Sequence, residues 1–309
     1  MQKPVLVIGG PTASGKSGLG IAIAEELSGT VINGDSMQVY RGLPVLTAQP
    51  SAEDCAKVPH RLYAALAPME VCSAARWRDM AFDEIRKVQD EGRLPIIVGG
   101  TGFYIKTLLL GISPIPDIPL SFREEAAALQ RKLGNPGFHQ ELTKHDPIIA
   151  AKLDPFNTQR LVRAWEVLQA TGKSLAEWQA LPRIGTPEDL SFLTVVLNPP
   201  RAALYAACNG RFEKMLAMGA LDEVRKFSAQ TPAGTALSKA LGYPELVAHL
   251  AGKISLTEAV TLAQQSTRNY AKRQTTWFRH QIQADIILES ADPAPLLSRL
   301  KEYNISHNL

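Results

Sequence analysis

An apolar run, Val5-Leu6-Val7-Ile8, leads directly into the stretch GPTASGKS at residues 10–17. This stretch satisfies G-x-x-x-x-G-K-[ST], the pattern of a loop that wraps phosphate oxygens. No other feature constrains the fold as strongly. The loop works only when a buried strand delivers the chain to it and a helix carries the chain away. Its glycines let backbone N–H groups converge on an anion, and the helix N-terminus adds partial positive charge. Both flanks are present, a strand before the loop and a helix pattern over 17–27 after it. Gly10, Pro11, Thr12, Ala13, Ser14, Gly15, Lys16 and Ser17 are therefore the candidate phosphate-binding residues. Lys16 supplies a point charge, and the Ser17 hydroxyl is a candidate ligand for Mg2+.

The pattern then alternates. Residues 30–33 form a second short strand, and 77, 80, 81, 85 and 88 are apolar at helical spacing. LPIIVGG at 94–100 gives a third strand, and a helix is expected over 101–110. Strand–helix alternation predicts an α/β fold, a parallel sheet flanked by helices on both faces. GISPIPDIP at 111–119, with its three prolines, breaks the alternation, and 121–180 show helix patterns only. The clearest is NTQRLVRAWEVLQATG at 157–172. Leu161, Trp165 and Leu168 share a face there, and Gly172 is a C-terminal cap. SFLTVVLNPP at 191–200 returns as a strand; helices over 201–218 and 257–283 and a late strand, DIILE, at 285–289 follow. The expected domains are a first part of the phosphate-loop core at 1–115, an all-helical insertion at 116–187, and the second part of the core at 188–309.

Function classes narrow from composition. Of 309 residues, 45% are apolar, enough for a sizeable core. No apolar run approaches the roughly 20 residues that span a bilayer, so no membrane association is expected. The N-terminus lacks a signal-peptide pattern. Cys55, Cys72 and Cys208 are scattered with no C-x-x-C pair, which indicates neither a disulfide framework nor a structural zinc site. A cytoplasmic setting is expected. The net charge of +3 is unevenly spread: between Ala259 and Ala284 there is no Asp or Glu, yet Arg268, Lys272, Arg273 and Arg279 fall there. Such a basic face suits a polyanionic partner. On STRNYAKRQTTWFRHQ at 266–281 the cations sit beside Tyr270, Trp277 and Phe278, a mixture that serves packing or nucleic-acid stacking equally well.

The carboxylate that ends a strand is Asp35, in VINGDSMQVY. The carboxyl ends of parallel strands face the ligand crevice, so Asp35 is a candidate base or substrate grip. An NTPase would have a second strand ending in a Mg2+-binding Asp; here 94–98 runs into Gly99-Gly100-Thr101. Thr101 either caps the next helix or touches substrate. Beside an enzyme acting on a polyanion, two readings remain open on the residues alone: a small-molecule kinase with nucleotide in the loop, and a non-catalytic RNA-binding switch protein with nucleotide in the loop, which Asp35 and Thr101 converging on one crevice argue against. The basic helix disfavours the kinase.

Taken together, GPTASGKS, GDSMQVYRG, VPHRL, LPIIVGGTGFYIK, NTQRLVRAWEVLQATGKS, GRFEKMLAMGALDEV, KALGYPEL and YAKRQTTWFR resemble the bacterial tRNA dimethylallyltransferase (tRNA isopentenyltransferase) family, in family order and over nearly the whole chain. The resemblance implies transfer of a dimethylallyl group from dimethylallyl diphosphate to N6 of the adenosine 3′ of the anticodon. The loop at 10–17, with Arg211 and Mg2+, would then hold a prenyl diphosphate, and ATP need not be involved. Asp35 would be the general base, with Thr101 beside the reacting groups. The same resemblance assigns tRNA contacts to Asp35, Ser36, Met37 and Gln38, to Arg123, and to Gln159, Arg160, Leu161, Val162 and Arg163. It assigns others to Lys239, Gly242 and Tyr243, and to Arg268, Lys272, Arg273, Gln274, Trp277 and Arg279. It implies a base flipped from the anticodon-loop stack and an enzyme that works as a monomer. Gln49, Ala207 and Pro244 depart from the family pattern, at positions where it carries charge.

Overall fold

The computed structural model describes residues 2–232 and 234–302. In chain order the first elements are β1 (Lys3–Gly9), α1 (Lys16–Glu26), β2 (Gly29–Asn33), α2 (Pro44–Thr47), α3 (Ala52–Lys57), β3 (His60–Arg61), α4 (Ala74–Asp90), β4 (Leu94–Gly99) and α5 (Gly102–Leu110). There follow α6 (Leu120–His145), α7 (Pro147–Ala150), α8 (Thr158–Thr171) and α9 (Leu175–Ala180). The chain ends with β5 (Leu190–Leu197), α10 (Arg201–Ala217), α11 (Ala220–Gln230), a short 3-10 turn (Ala236–Lys239), α12 (Tyr243–Leu250), α13 (Leu256–Gln281), β6 (Ile286–Leu288) and α14 (Pro293–Glu302).

Six strands form one sheet in the order β3-β2-β4-β1-β5-β6, parallel throughout. In register, Leu6 of β1 lies between Ile96 of β4 and Leu193 of β5. Alternate residues point to opposite faces, and each face is covered. Leu6, Ile8, Ile96 and Val195 pack with Leu19 and Ile23 of α1 and Leu296 and Leu300 of α14. Val5, Val7, Ile32 and Ile97 pack with Trp77 and Ile85 of α4, Ile105 of α5 and Phe278 of α13. That double cover is why the strands read as unbroken apolar runs. A further cluster joins Val39, Leu43 and Leu46 to Phe212, Val224, Phe227, Leu237 and Tyr243.

The chain divides into two compact units, 1–109 with 187–309, and 110–186. The second unit is helical. Its core holds Phe138 and Leu142 of α6, Leu161, Ala164 and Trp165 of α8, and Ile149 of α7. Gly134, at φ 65, interrupts α6 ahead of Pro136. Asn157 caps α8 through the Arg160 N–H, and Gly172 ends it in the left-handed conformation. The unit begins at Leu110, earlier than residue 116, because Ile112 pairs antiparallel with Ile184 and draws the proline-rich stretch into it.

Candidate active site

Strands β2, β4 and β1 are neighbours in the sheet, so the loops at their carboxyl ends share one crevice. These loops carry Asp35, Thr101 and the glycine-rich stretch respectively. At the end of β1, Gly15 adopts φ 88 and turns the chain into α1. A left-handed residue there sets the helix N-terminus facing back along the loop, and the first N–H groups of a helix have no partner within it. Ser14 Oγ is buried without a protein partner. Lys16 Nζ donates to the Pro11 carbonyl at 3.0 Å, and Arg211 Nη1 donates to Thr12 Oγ1 at 2.9 Å. A half-buried lysine, a half-buried arginine and a buried hydroxyl thus converge on the loop. Burial pushes the Lys16 ammonium down to about 8; Asp35 and Cys208 oppose the shift and Arg211 adds to it. Burial also lowers Arg211, against Asp35. Two cations held in a desolvated pocket are costly until an anion enters, so the arrangement is suited to a diphosphate.

Asp35 is held from behind. Asn33, fully buried at the end of β2, donates to the Asp35 carbonyl at 3.0 Å and the Leu62 carbonyl at 3.1 Å, and accepts from the Asp35 N–H at 2.8 Å. The indole of Trp77 donates to the Asn33 carbonyl. One Asp35 carboxylate oxygen accepts the Met37 N–H at 2.9 Å. Thr101 Oγ1 accepts from the Ser36 N–H at 2.9 Å and donates to Ser36 Oγ at 3.1 Å. Thr101 therefore ties the Asp35 loop to the end of β4. The field of Asp35 reaches Lys16 and Arg211, and it also raises Tyr63 and Tyr270, though burial is the larger cause there.

Helix α13 closes the same crevice. Its Ser255–Glu258 capping box starts a helix of 26 residues. Gln274 faces inward: its Oε1 accepts the Thr12 N–H at 2.8 Å and its Nε2 donates to the Gly100 carbonyl at 2.7 Å. Trp277 lies against Gly102 and Phe278 against Gly9, so closely that a Cβ on either glycine would fall within 2.1 and 2.6 Å of the ring. Lys272, Arg273 and Arg279 are exposed. Among the described residues they form no ion pair. Lys272 and Arg273 line an open groove of about 570 Å³ with Asn269, Thr276, Trp277 and His280. A smaller cavity of about 170 Å³ lies between Thr101, Phe103, Tyr270, Arg273 and Trp277. Arg268 is half-buried and held by Asn209 Oδ1 and Gln265 Oε1, both at 2.6 Å.

The remaining residues expected to meet RNA fall in varied settings. Ser36, Met37 and Gln38 are half-buried in the Asp35 loop, where Gln38 Nε2 donates to the Thr47 and Ala48 carbonyls. Lys239 is exposed, but Gly242 and Tyr243 are buried, Tyr243 edge-on to Phe227. In the helical unit Arg123, Gln159 and Arg160 are exposed, Val162 is half-buried, and Arg163 pairs with Glu166. Leu161 has no exposed surface and belongs to that unit's core. Sequence reasoning missed Asn33 and the internal bonding of Gln274. The available signal for Asn33 was an amide at the end of an apolar strand, immediately before Gly34-Asp35; for Gln274 it was helical spacing, since it stands three residues after Ala271 and four before Phe278 on the buried face of α13.

Residues 38–281 match the family model described as IPP transferase. A tRNA dimethylallyltransferase of Paramagnetospirillum magneticum is 57% identical over 284 residues, covering 92% of this chain and 90% of the relative. One from Rickettsia bellii is 40% identical, covering 98% and 96%. Among solved structures, the full-length tRNA isopentenylpyrophosphate transferase of Bacillus halodurans superposes with a TM-score of 0.69 at 32% identity, covering 100% of this chain and 98% of that one. A eukaryotic dimethylallyltransferase acting on tRNA superposes with a TM-score of 0.80 at 27% identity, covering 99% and 79%.

Proposed function

This chain belongs to the IPP transferase family, and from that premise we propose that it transfers a dimethylallyl group from dimethylallyl diphosphate to N6 of the adenosine 3′ of the anticodon in tRNA. The observation that carries the reading is the meeting of opposite roles in one crevice. Asp35, braced by Asn33 and Thr101, acts electrostatically on the same Lys16 and Arg211 that flank the glycine-rich loop. A prenyl transfer needs this pairing: cations for a leaving diphosphate, and a carboxylate for the incoming amine.

The chemistry follows from these positions. N6 attacks C1 of the prenyl group, the C1–O bond breaks, and the diphosphate leaves with the bonding pair. Lys16, Arg211 and the first N–H groups of α1 stabilise the developing negative charge. N6 becomes positive as its bond forms, and Asp35 takes the proton. The hydroxyl of Ser17 and the oxygens of the donor suit a hard cation. Ser17 would hold Mg2+ together with oxygens of the diphosphate and water, and the ion would supply charge neutralisation of the leaving group. The exposed cations of α13 serve the RNA backbone. The enzyme would act in the cytoplasm as a monomer.

The test is product formation. The protein, Mg2+, dimethylallyl diphosphate labelled in the prenyl group, and an anticodon stem-loop should give RNA carrying label at the adenosine 3′ of the anticodon, with stoichiometric diphosphate. Substituting that adenosine by inosine removes the amine and should abolish labelling. Turnover of ATP on a small metabolite, with no prenyl transfer, would replace this reading with the kinase.

A further inference from the structure

One side chain joins the two glycine loops. Gln274 is 6% exposed, and both ends of its amide are used: the carbonyl oxygen takes the Thr12 N–H, and the NH2 group reaches the Gly100 carbonyl. Its surroundings are built for that reach. A Cβ at Gly100 would stand 2.6 Å from Gln274 Nε2, so a side chain there would displace the amide. On the far side of Thr12, Arg211 holds its hydroxyl. Next to Gly100, Thr101 holds the Asp35 loop through Ser36. The amide therefore lies between the cradle for the leaving group and the brace of the general base. It also sits on α13 between the groove-lining residues, two positions after Lys272 and three before Trp277.

We propose that Gln274 is a positioning residue. Its amide fixes the loop at 10–17 to the loop at 99–102, so that the helix facing the RNA also sets the shape of the donor cradle. This deepens the proposed function and rests on it. A hydrogen-bonded amide with both ends satisfied in the interior specifies a single geometry. An RNA that grips Lys272 and Arg273 steadies the helix carrying that amide. Donor and RNA should then bind cooperatively, and linkage requires the effect to be mutual.

The experiment is a binding cycle on the full chain. Affinity for inorganic diphosphate with Mg2+ is measured calorimetrically with and without a saturating anticodon stem-loop, for the native protein, Gln274→Glu and Gln274→Leu. The native protein should bind diphosphate about fivefold or more tightly when RNA is present, the lower end of ordinary coupling. Gln274→Glu can still accept from Thr12 but opposes the Gly100 carbonyl with a second acceptor; Gln274→Leu makes neither bond. In both, the coupling factor should fall toward one, the donor KM should rise, and RNA affinity alone should hold. A purely structural role would instead lower the melting temperature and scale every affinity together. Coupling that survives in both folded variants, or is absent from the native protein although it binds both ligands, overturns the role of Gln274 and leaves the proposed function standing. A native protein that binds no diphosphate at all overturns both. Should Gln274→Leu fail to fold, Gly100→Ala displaces the amide from the other side and must also reduce coupling.

Discussion

The pocket favours the neutral form of Lys16, and this has a measurable sign. Its free-protein value is about 8, against 10.5 for an ordinary lysine, chiefly through burial. A diphosphate binds the charged form and restores a partner to it, so the liganded value rises and binding takes up a proton above pH 8. From a pKa of about 8, Lys16 is roughly nine-tenths charged near pH 7 and roughly one-tenth charged near pH 9. Donor affinity should therefore fall by about tenfold across that interval, while the bound-state pKa stays above it. The ligand titrates too, and Lys16→Arg controls for this: the guanidinium stays charged throughout, so the difference in slope between the two proteins belongs to Lys16. Calorimetry in two buffers of different ionisation enthalpy reads the proton uptake directly. Equal slopes for the native protein and Lys16→Arg between pH 7 and pH 9 would refute a lysine depressed by its site.

Asp35→Asn keeps the shape and removes the base; single-turnover prenyl transfer should slow by roughly 10² to 10⁴ with diphosphate affinity little changed, and a loss under about threefold would contradict the assignment. Asn33→Ala removes three hydrogen bonds from behind Asp35; it should cost about 1–3 kcal/mol of stability in a denaturant titration and lower kcat more than it raises the RNA KM. Lys272→Ala and Arg279→Ala should each weaken stem-loop binding and lower its salt slope by about 0.7 to 0.9, whereas unchanged slopes for both would make α13 a merely solvated face. In the unliganded protein Lys16→Met should raise the melting temperature below pH 8. There the native lysine is charged both folded and unfolded but is disfavoured in the fold, and that penalty fades as pH rises from about 8 toward 10.5.

Periodicity made the sheet legible. The runs at 5–8 and 94–98 are apolar on both faces, those at 30–33 and 191–197 are short and rich in β-branched residues, and each became a parallel strand. The two-residue strand β3 was not legible, since His60 and Arg61 pair with β2 without any apolar run of their own. The glycine-rich loop and Asp35 could be read because their positions follow from strand ends. The motif segments were read as units, and that hid the direction of single side chains. Gln274 shares the stripe of Ala263, Ala271 and Phe278, yet the cations and aromatics around it suggested an RNA contact; Leu161 and Tyr243 sit in motif segments but are buried. Motifs report which segment is near the chemistry, whereas burial decides which side chains of that segment can reach it.

The glycines at 9, 100 and 102 have a consequence for mutational scanning. They mark the footprint of α13: Phe278, Gln274 and Trp277 rest where their side chains would otherwise stand. A substitution at Gly9 or Gly102 meets a ring and acts as a wedge under the helix, whereas one at Gly100 meets only the end of the Gln274 side chain and shifts the amide. Gly102→Ala, for example, would push Trp277 outward and unseat the basic groove above it. In an activity scan all three positions would register as deeply intolerant and be read as phosphate contacts. A scan scored on RNA affinity would set Gly9 and Gly102 apart, because a lifted helix loses its grip on the stem-loop while a true phosphate contact, or a displaced Gln274 amide, does not.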